Sequence, residues 1–186
     1  MGRAIVPQCY PSRVTITSRQ NPLVARFRTA ALAIIAIDVQ DPGNLGAIVR
    51  VAEAAGATGF VAAGGSANPF GWKALRGSMG SALRLPITSE VAAEDAVADA
   101  RRHGCRIIAT VLRDGRSLFG VDLAGPLHVL IGGEGQGLAA ALTDAADERV
   151  TIPMQAPVES LNAAVTAALI VYEAFRQRSV GNLKEI

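Results

Sequence analysis

The chain has 186 residues, of which 50% are hydrophobic and 18% are charged, a composition that suits one compact domain and excludes a disordered or fibrous protein. Its formal net charge is only +2, which excludes a polycation that binds nucleic acid through charge alone. The longest apolar run, residues 30–37, falls well short of the roughly 20 residues that a membrane-spanning helix needs, so no membrane span is expected.

The first segment, residues 1–31, is predicted to form a basic arm. It holds five arginines and no carboxylate: Arg3, Arg13, Arg19, Arg26 and Arg28. Such an arm is typical either of a solvated segment or of one that binds RNA or another polyanion, and both interpretations stay open. Without a secretory signal, and with only Cys9 and Cys105, the sequence favours a cytoplasmic protein with neither a disulfide framework nor a metal site.

After the arm, short runs rich in Val and Ile alternate with Ala-rich stretches, a pattern that predicts an α/β fold with a parallel β-sheet flanked by helices. The predicted strands lie near Leu32–Val39, Gly59–Ala63, Leu83–Ile87, Arg106–Val111, His128–Ile131 and Arg149–Ile152. The predicted helices are Leu45–Ala55, Pro69–Ser81, Glu90–His103, Ala139–Ala145 and Ser160–Arg178. A domain over residues 32–178 and a frayed tail at 179–186 are therefore expected.

The last predicted helix is apolar nearly all round. Its helical stripe is formed by Leu161, Val165, Ala168, Tyr172 and Phe175, and further apolar residues flank it. A helix of this kind lies either deep in a core or in a subunit interface. In a chain this small we expect the interface.

The first motif is DVQDPGNLGAIVRVAEAAG, residues 38–56, where a strand ends and a helix begins. Turn chemistry explains part of it, because Asn44 is a good candidate for the helix N-cap. It does not explain Arg50, which lies among apolar residues and must pair with a charge, extend to solvent or reach a ligand.

The second motif is VLIGGEGQGL, residues 129–138, in which a strand runs into a glycine-rich loop around Glu134. Loops of this kind hold phosphate or adenosine groups at the carboxyl ends of α/β strands. A dinucleotide site is the minor alternative here, because its fingerprint normally comes early and has an acidic residue about 20 positions further on. Pro157 stands at that position.

The third motif is VTIPMQAPVESLNAAVTAALIVYEAFRQR, residues 150–178. Ser160 is a plausible N-cap of the long apolar helix. This places Asn162 inside the first turn, where an amide in such apolar surroundings is expected to hydrogen-bond a specific partner.

Together, in this order and spacing, the three motifs resemble those of the SpoU (TrmH-like) ribose methyltransferases of the SPOUT class. The resemblance covers residues 34–178 and includes KALRGSMGSALRLP, residues 73–86. It implies a homodimeric enzyme that uses S-adenosylmethionine to methylate a ribose 2′-hydroxyl of ribosomal or transfer RNA. It also implies a C-terminal deep trefoil knot, which general topology rules disfavour.

The resemblance also assigns roles by position. The expected catalytic residues are Asn44, Arg50, Glu134, Ser160 and Asn162. The residues expected around the cofactor's adenosine are Gly132, Gly133, Gly135, Gly137, Ile152, Pro153 and Leu161. Arg50 is the candidate for activating the 2′-hydroxyl, either by stabilising the developing alkoxide or by gripping the adjoining phosphate. Arg76 and Arg84 are candidates for RNA backbone contacts, with a structural role as the alternative.

The sequence departs from the family pattern near its start. Residues 16–23, ITSRQNPL, resemble the opening of members that carry an N-terminal RNA-binding domain, but only a few residues separate Phe27 from the first strand. The arm is therefore interpreted as a remnant of that domain or a substitute for it. The alternative function is a non-catalytic dimer that binds the cofactor or RNA.

Overall fold

The computed structural model describes residues 31–179, and the basic arm and most of the predicted tail lie outside them. Seven strands form one sheet, and all of its strand pairs are parallel. The strands are β1 (Leu32–Ile37), β2 (Gly59–Ala63), β3 (Ile87–Val91), β4 (Arg106–Thr110), β5 (Arg116–Ser117), β6 (Leu127–Gly132) and β7 (Glu148–Thr151). Their order across the sheet is β3-β2-β1-β6-β4-β7-β5.

Within the described residues, five α-helices connect and cover the strands: α1 (Pro42–Ala54), α2 (Trp72–Ser78), α3 (Ala93–Arg102), α4 (Ala140–Asp144) and α5 (Ala163–Ser179). Successive residues of a strand point to opposite faces of a sheet, and β1 is buried on both. Ile34 belongs to a core cluster that includes residues of α1 and α5, whereas Ile35 belongs to a second cluster that includes residues of α3 and α4. This confirms the predicted parallel sheet flanked by helices.

The predicted strand at Leu83–Ile87 is wrong. Residues 81–83 form a 3₁₀ turn, and β3 begins at Ile87, after Pro86. Leu83 is exposed, so its apolar side chain does not mark a buried strand here. The polar sequence of β3, Ile-Thr-Ser-Glu-Val, reflects its place at the edge of the sheet, which hid it from a search for apolar runs.

Several boundaries also differ from the prediction. The second helix is shorter than Pro69–Ser81, and the third begins at Ala93 because Glu90 belongs to β3. Ser179 is a buried residue of α5, so the frayed tail does not begin there. The buried face of α5 is formed by residues such as Ile170 and Val171, and Tyr172 of the predicted stripe is exposed. Within residues 31–179, no helix combines the length and the apolar character needed to cross a membrane.

Candidate active site

The three motifs meet at the carboxyl edge of the sheet. β1 and β6 are neighbours, with Ile37 opposite Gly132, so the loops that follow these two strands lie side by side. β4 separates β6 from β7, and the chain after β7 leads to α5 at the same edge. Ligand sites of open parallel sheets form at this edge.

The turn before α1 leaves the side chain of Asn44 available. The predicted N-cap at Asn44 is wrong, because Asp41 caps α1 and its Oδ1 accepts a hydrogen bond from the Asn44 backbone N–H at 2.7 Å. Pro42 follows the cap, at a position where a helix tolerates the missing N–H. Asn44 instead donates its side-chain Nδ2 hydrogen to Oε1 of Glu134.

A second asparagine opens α5. The predicted N-cap at Ser160 is wrong, because Oδ1 of Asn162 accepts hydrogen bonds from the backbone N–H groups of Ala164 at 2.8 Å and Val165 at 3.3 Å. The Asn162 carbonyl also accepts the first helical hydrogen bond, from Thr166 at 2.9 Å. The expectation that the Asn162 amide has a specific partner is confirmed, although the residue caps the helix and does not lie inside it.

One polar cluster therefore joins all three motifs. Asn162 Nδ2 donates to Asn44 Oδ1 at 3.1 Å and faces Glu134 Oε1 at 3.4 Å, and Asn44 Nδ2 donates to the same carboxylate oxygen. Because the cap holds Oδ1 of Asn162 toward the helix, its Nδ2 must face the cluster. Two amide donors thus hold the Glu134 carboxylate at the edge of the sheet.

The glycine loop after β6 folds back on itself, with a bridge between Gly133 and Gly137. A Cβ atom on Gly132 would lie 2.6 Å from the Gly137 carbonyl carbon, and one on Gly133 would lie 2.0 Å from the Asp38 carbonyl oxygen. Both positions therefore require glycine in this fold. Gly135 and Gly137 have φ values of +100° and +65°, a region that favours glycine.

A cavity of 640 Å³ opens between the glycine loop and the segment that leads to α5. Of the residues expected around a cofactor, the four glycines, Ile152 and Leu161 line this cavity, together with Glu134, Ser160 and Asn162. Pro153 is exposed and is absent from the lining. The sequence analysis missed Thr110, Val111, Leu112, Leu138, Met154 and Thr166, which also line it. Thr110 ends β4, so the rule that sites form at strand carboxyl ends could have indicated it.

The three arginines that were singled out have different surroundings. Arg84 forms a bidentate ion pair with Glu53, both contacts being 2.7 Å, which is a contact of the kind that a structural role predicts. The guanidinium of Arg76 lies over the ring of Trp72, 5.3 Å from its centroid. Arg50 is exposed on α1, outside the cavity lining, and makes neither a hydrogen bond nor an ion pair within residues 31–179.

No group of three or more His, Cys, Asp or Glu residues in the described part of the chain could hold a metal ion. The polar groups described at the site include the Glu134 carboxylate, the two asparagine amides and the Ser160 hydroxyl, beside the glycine-lined cavity.

The chain is similar to several methyltransferases. It is 37% identical to an uncharacterized tRNA/rRNA methyltransferase of Synechocystis, over 80% of this chain and 54% of the relative. It is 32% identical to the 23S rRNA (guanosine(2553)-2′-O)-methyltransferase RlmP of Bacillus subtilis, over 89% of this chain and 71% of the relative. The chain thus spans about half to seven tenths of the length of these relatives.

The fold is also similar to a crystal structure of the SpoU methyltransferase AviRb from Streptomyces viridochromogenes in complex with AdoMet. The TM-score is 0.74 at 36% identity, over 82% of this chain and 60% of that protein. The model of the SpoU rRNA Methylase family matches residues 31–172, which include the first two motifs entirely and most of the third. Since that match takes in the whole Asn44–Glu134–Asn162 cluster and the cavity beside it, the chain belongs to the SpoU rRNA methylase family.

Proposed function

We propose that the protein transfers a methyl group from S-adenosylmethionine to a ribose 2′-hydroxyl of ribosomal or transfer RNA. The observation that carries the proposal is the meeting of three distant motifs in the Asn44–Glu134–Asn162 cluster at the mouth of a glycine-lined cavity. Family membership, the 2′-O-methyltransferase activity of RlmP and the AdoMet complex of AviRb support it. We place the enzyme in the cytoplasm, with these RNA substrates.

The residues around the cavity fit S-adenosylmethionine. The cavity volume of 640 Å³ lies within the range of small-molecule sites. The four glycines in the lining present main chain without side chains, which suits recognition of adenine by backbone groups, and Ile152 and Leu161 add apolar surface. Glu134 is the one charged side chain in the lining, and a carboxylate suits a ligand that carries a sulfonium cation.

S-adenosylmethionine, when bound, supplies an electrophilic methyl group. The chain must then hold the ribose oxygen in line with that methyl, let the hydroxyl proton leave to solvent and compensate the negative charge that develops on the oxygen. We assign the positioning to the Glu134 cluster and to Ser160, whose exposed hydroxyl lines the cavity. Arg50 is the cation that we assign to this task, because it is exposed on the same helix as Asn44 and makes no ion pair within the described residues. Its guanidinium stabilises the developing oxyanion or holds the adjoining phosphate.

The same geometry supports a homodimer. Arg50 lies outside the cavity lining of its own subunit, and we propose that it acts on the site of another subunit. α1 packs against α5, and α5 exposes an apolar stripe formed by Val165, Leu169 and Tyr172, with exposed fractions of 47%, 42% and 48%. We propose that this stripe binds a second copy and that each Arg50 serves the partner's cavity. Spacings of four and three residues place the stripe on one face of the helix.

Mixed dimers test this arrangement. R50A and E134Q subunits are each inactive when pure under the proposal. When they are mixed and allowed to exchange, one site of each mixed dimer combines an intact Arg50 with an intact Glu134, so about a quarter of the wild-type activity returns under random pairing. Arg50 acting on its own subunit's cavity would leave every site defective, and the mixture would stay inactive.

We further propose that the region from β6 to α5 forms the deep trefoil knot of the SPOUT class. The support is topological: the late strand β6 lies between β1 and β4, in the middle of the sheet, and the two loops that border the cavity come from residues 132–138 and 152–162. The methyltransferase domain is taken to span residues 32–178.

Calorimetric titration with S-adenosylmethionine and its demethylated product, beside a mass determination in solution, tests the cofactor site and the dimer together. Saturable binding by a dimer is expected. Binding without methyl transfer to any ribosomal or transfer RNA would favour the alternative, a non-catalytic dimer. Absence of binding by a folded dimer would contradict the cofactor site and would favour a non-catalytic relative that binds RNA alone.

A further inference from the structure

An exposed indole stands on the short helix α2. Trp72 opens the helix, and 64% of the residue is exposed. The Arg76 guanidinium lies 5.3 Å from the centre of its ring, a cation–π contact between residues one helical turn apart. Lys73 is exposed beside them. We call these three residues the Trp72 surface.

The cations of the Trp72 surface differ from most others in the protein. Residues 31–179 hold twelve Lys and Arg side chains. Eight form ion pairs: Arg84, Arg101, Arg102, Arg106, Arg113, Arg116, Arg149 and Arg176. Arg178 donates to backbone carbonyls. Three cations form neither an ion pair nor a hydrogen bond within the described residues: Arg50, Lys73 and Arg76. Arg50 belongs to α1, and the other two belong to α2. Positive charge without compensating carboxylates is thus concentrated on these two helices.

The helix that carries the Trp72 surface packs on the helix that carries Asn44. α2 packs directly on the first turns of α1: a Cβ atom on Gly46 would lie 2.4 Å from the Ala74 carbonyl oxygen, and one on Gly77 would lie 3.2 Å from the Gly43 carbonyl oxygen. Asn44 stands between Gly43 and Gly46 on that same turn. The backbone that carries Trp72 is therefore fixed against the backbone that carries Asn44.

We propose that the Trp72 surface binds a single-stranded nucleotide that flanks the methylated one, with its base stacked on the indole and its phosphates near Lys73 and Arg76. The inference rests on the proposed function for the identity of the substrate. Aromatic side chains beside cationic ones are the usual means of holding unstacked nucleotides, and stacking on one indole contributes about 1–3 kcal/mol per base. The other occupant that this surface could take is a second copy of the chain.

The chain contains a single tryptophan, so its fluorescence reports on the Trp72 surface alone. We would titrate the wild-type protein and the E134Q variant with a single-stranded 12-nucleotide oligouridylate. Saturable quenching that weakens with added salt is expected in both proteins. E134Q is expected to lack methyl-transfer activity, so quenching in this variant tests nucleotide binding at the Trp72 surface separately from the proposed activity. Unchanged emission in both proteins would overturn the stacking role, whatever the activity.

The W72A and W72F variants extend the test to methyl transfer. W72A is expected to raise the KM for RNA about 5- to 100-fold with kcat nearly unchanged, and W72F to recover part of the loss. F119A is the matched control, since Phe119 is also exposed, at 73%, but lies beside β5 at the far end of the sheet. A W72A protein that changes from dimer to monomer would assign the surface to the second copy and overturn the proposal. An unchanged KM would overturn it as well.

Discussion

The side-chain amide of Asn162 donates a hydrogen bond of 3.1 Å to the side-chain oxygen of Asn44, which lies 118 positions earlier in the chain. Each asparagine stands at the first turns of a helix, and both amides face the same oxygen of Glu134. The orientation follows from the helix caps: Asp41 caps α1 and leaves Asn44 free, whereas Asn162 caps α5 with one end of its amide and reaches the cluster with the other.

The double role of Asn162 predicts different effects for two substitutions. N162D keeps an oxygen that caps α5 but replaces the amide donor with a second carboxylate beside Glu134, so methyl transfer should fall by about 100-fold or more while stability is nearly retained. N162A should lose the activity and about 1 kcal/mol of the free energy of unfolding. Urea unfolding and methyl-transfer rates measure the two effects. An active N162D enzyme would show that the amide donor is dispensable.

Gly133 should tolerate no side chain. A Cβ atom there would lie 2.0 Å from the backbone oxygen of Asp38, so G133A must displace the glycine loop or the end of β1. We expect a loss of about 1–3 kcal/mol in the free energy of unfolding and weaker cofactor binding, both measurable by urea unfolding and calorimetry. G120A is the control, because its Cβ atom would meet only Arg116 Nε at an ordinary 3.8 Å. Equal stability of the two variants would contradict the close approach.

His128 should make the protein sensitive to acid. It is a buried residue of β6, and burial lowers its pKa to about 4, with Asp99 raising it and His103 lowering it to lesser extents. The imidazole binds a proton near pH 6.5 in the unfolded state but only near pH 4 in the folded state. The folded protein therefore keeps its full stability above pH 6.5 and loses part of it as the pH falls toward 4. Between pH 7.5 and pH 5 the loss should be about 2 kcal/mol.

Urea unfolding at the two pH values checks this prediction. H128L should remove most of the difference between pH 7.5 and pH 5, whereas H103Q should leave most of it in place, since His103 is only partly buried. If H128L loses as much free energy of unfolding between pH 7.5 and pH 5 as the wild type does, the acid sensitivity belongs to other groups.

Arg178 should stabilise the end of α5. Its Nε donates to the Leu123 carbonyl at 2.9 Å and its Nη2 to the Gly125 carbonyl at 2.6 Å, a forked arrangement that lysine cannot reproduce. R178K should cost about 2 kcal/mol of the free energy of unfolding. R113K, which alters a single-contact ion pair with Glu159 in which both side chains are exposed, should cost less than about 0.5 kcal/mol. Equal losses of stability for the two variants in thermal unfolding would contradict the stabilising role of the hydrogen bonds from Arg178 to the carbonyl oxygens.

The inner strands of the sheet were predictable because they are buried on both faces and therefore read as apolar runs. β2 was predicted with its observed bounds, Gly59–Ala63, and β4 differed by one residue. The edge strands were not predictable in this way. β3 is polar and β5 has only two residues, Arg116 and Ser117, so neither shows an apolar pattern.

The helix starts show a different limit of the sequence. Asp41 and Asn44 are both good capping residues three positions apart, and Ser160 and Asn162 are two positions apart. Local capping propensity does not determine which residue of either pair caps the helix. Contacts with Glu134, which is remote in sequence, accompany the observed choice in both places. Thr110 at the end of β4 is a cavity residue that the sheet order brings beside the glycine loop, because β4 and β6 are neighbours in the sheet.

The most direct test of the account is transfer of a labelled methyl group from S-adenosylmethionine to unmodified ribosomal and transfer RNA, followed by nuclease digestion to identify the product. The account predicts a 2′-O-methylated nucleotide with the wild-type protein, a loss of about 100-fold or more in E134Q, and folded, dimeric protein in both cases. Label in the RNA that is equal for the wild type and E134Q, or label on a base instead of the ribose, would contradict it.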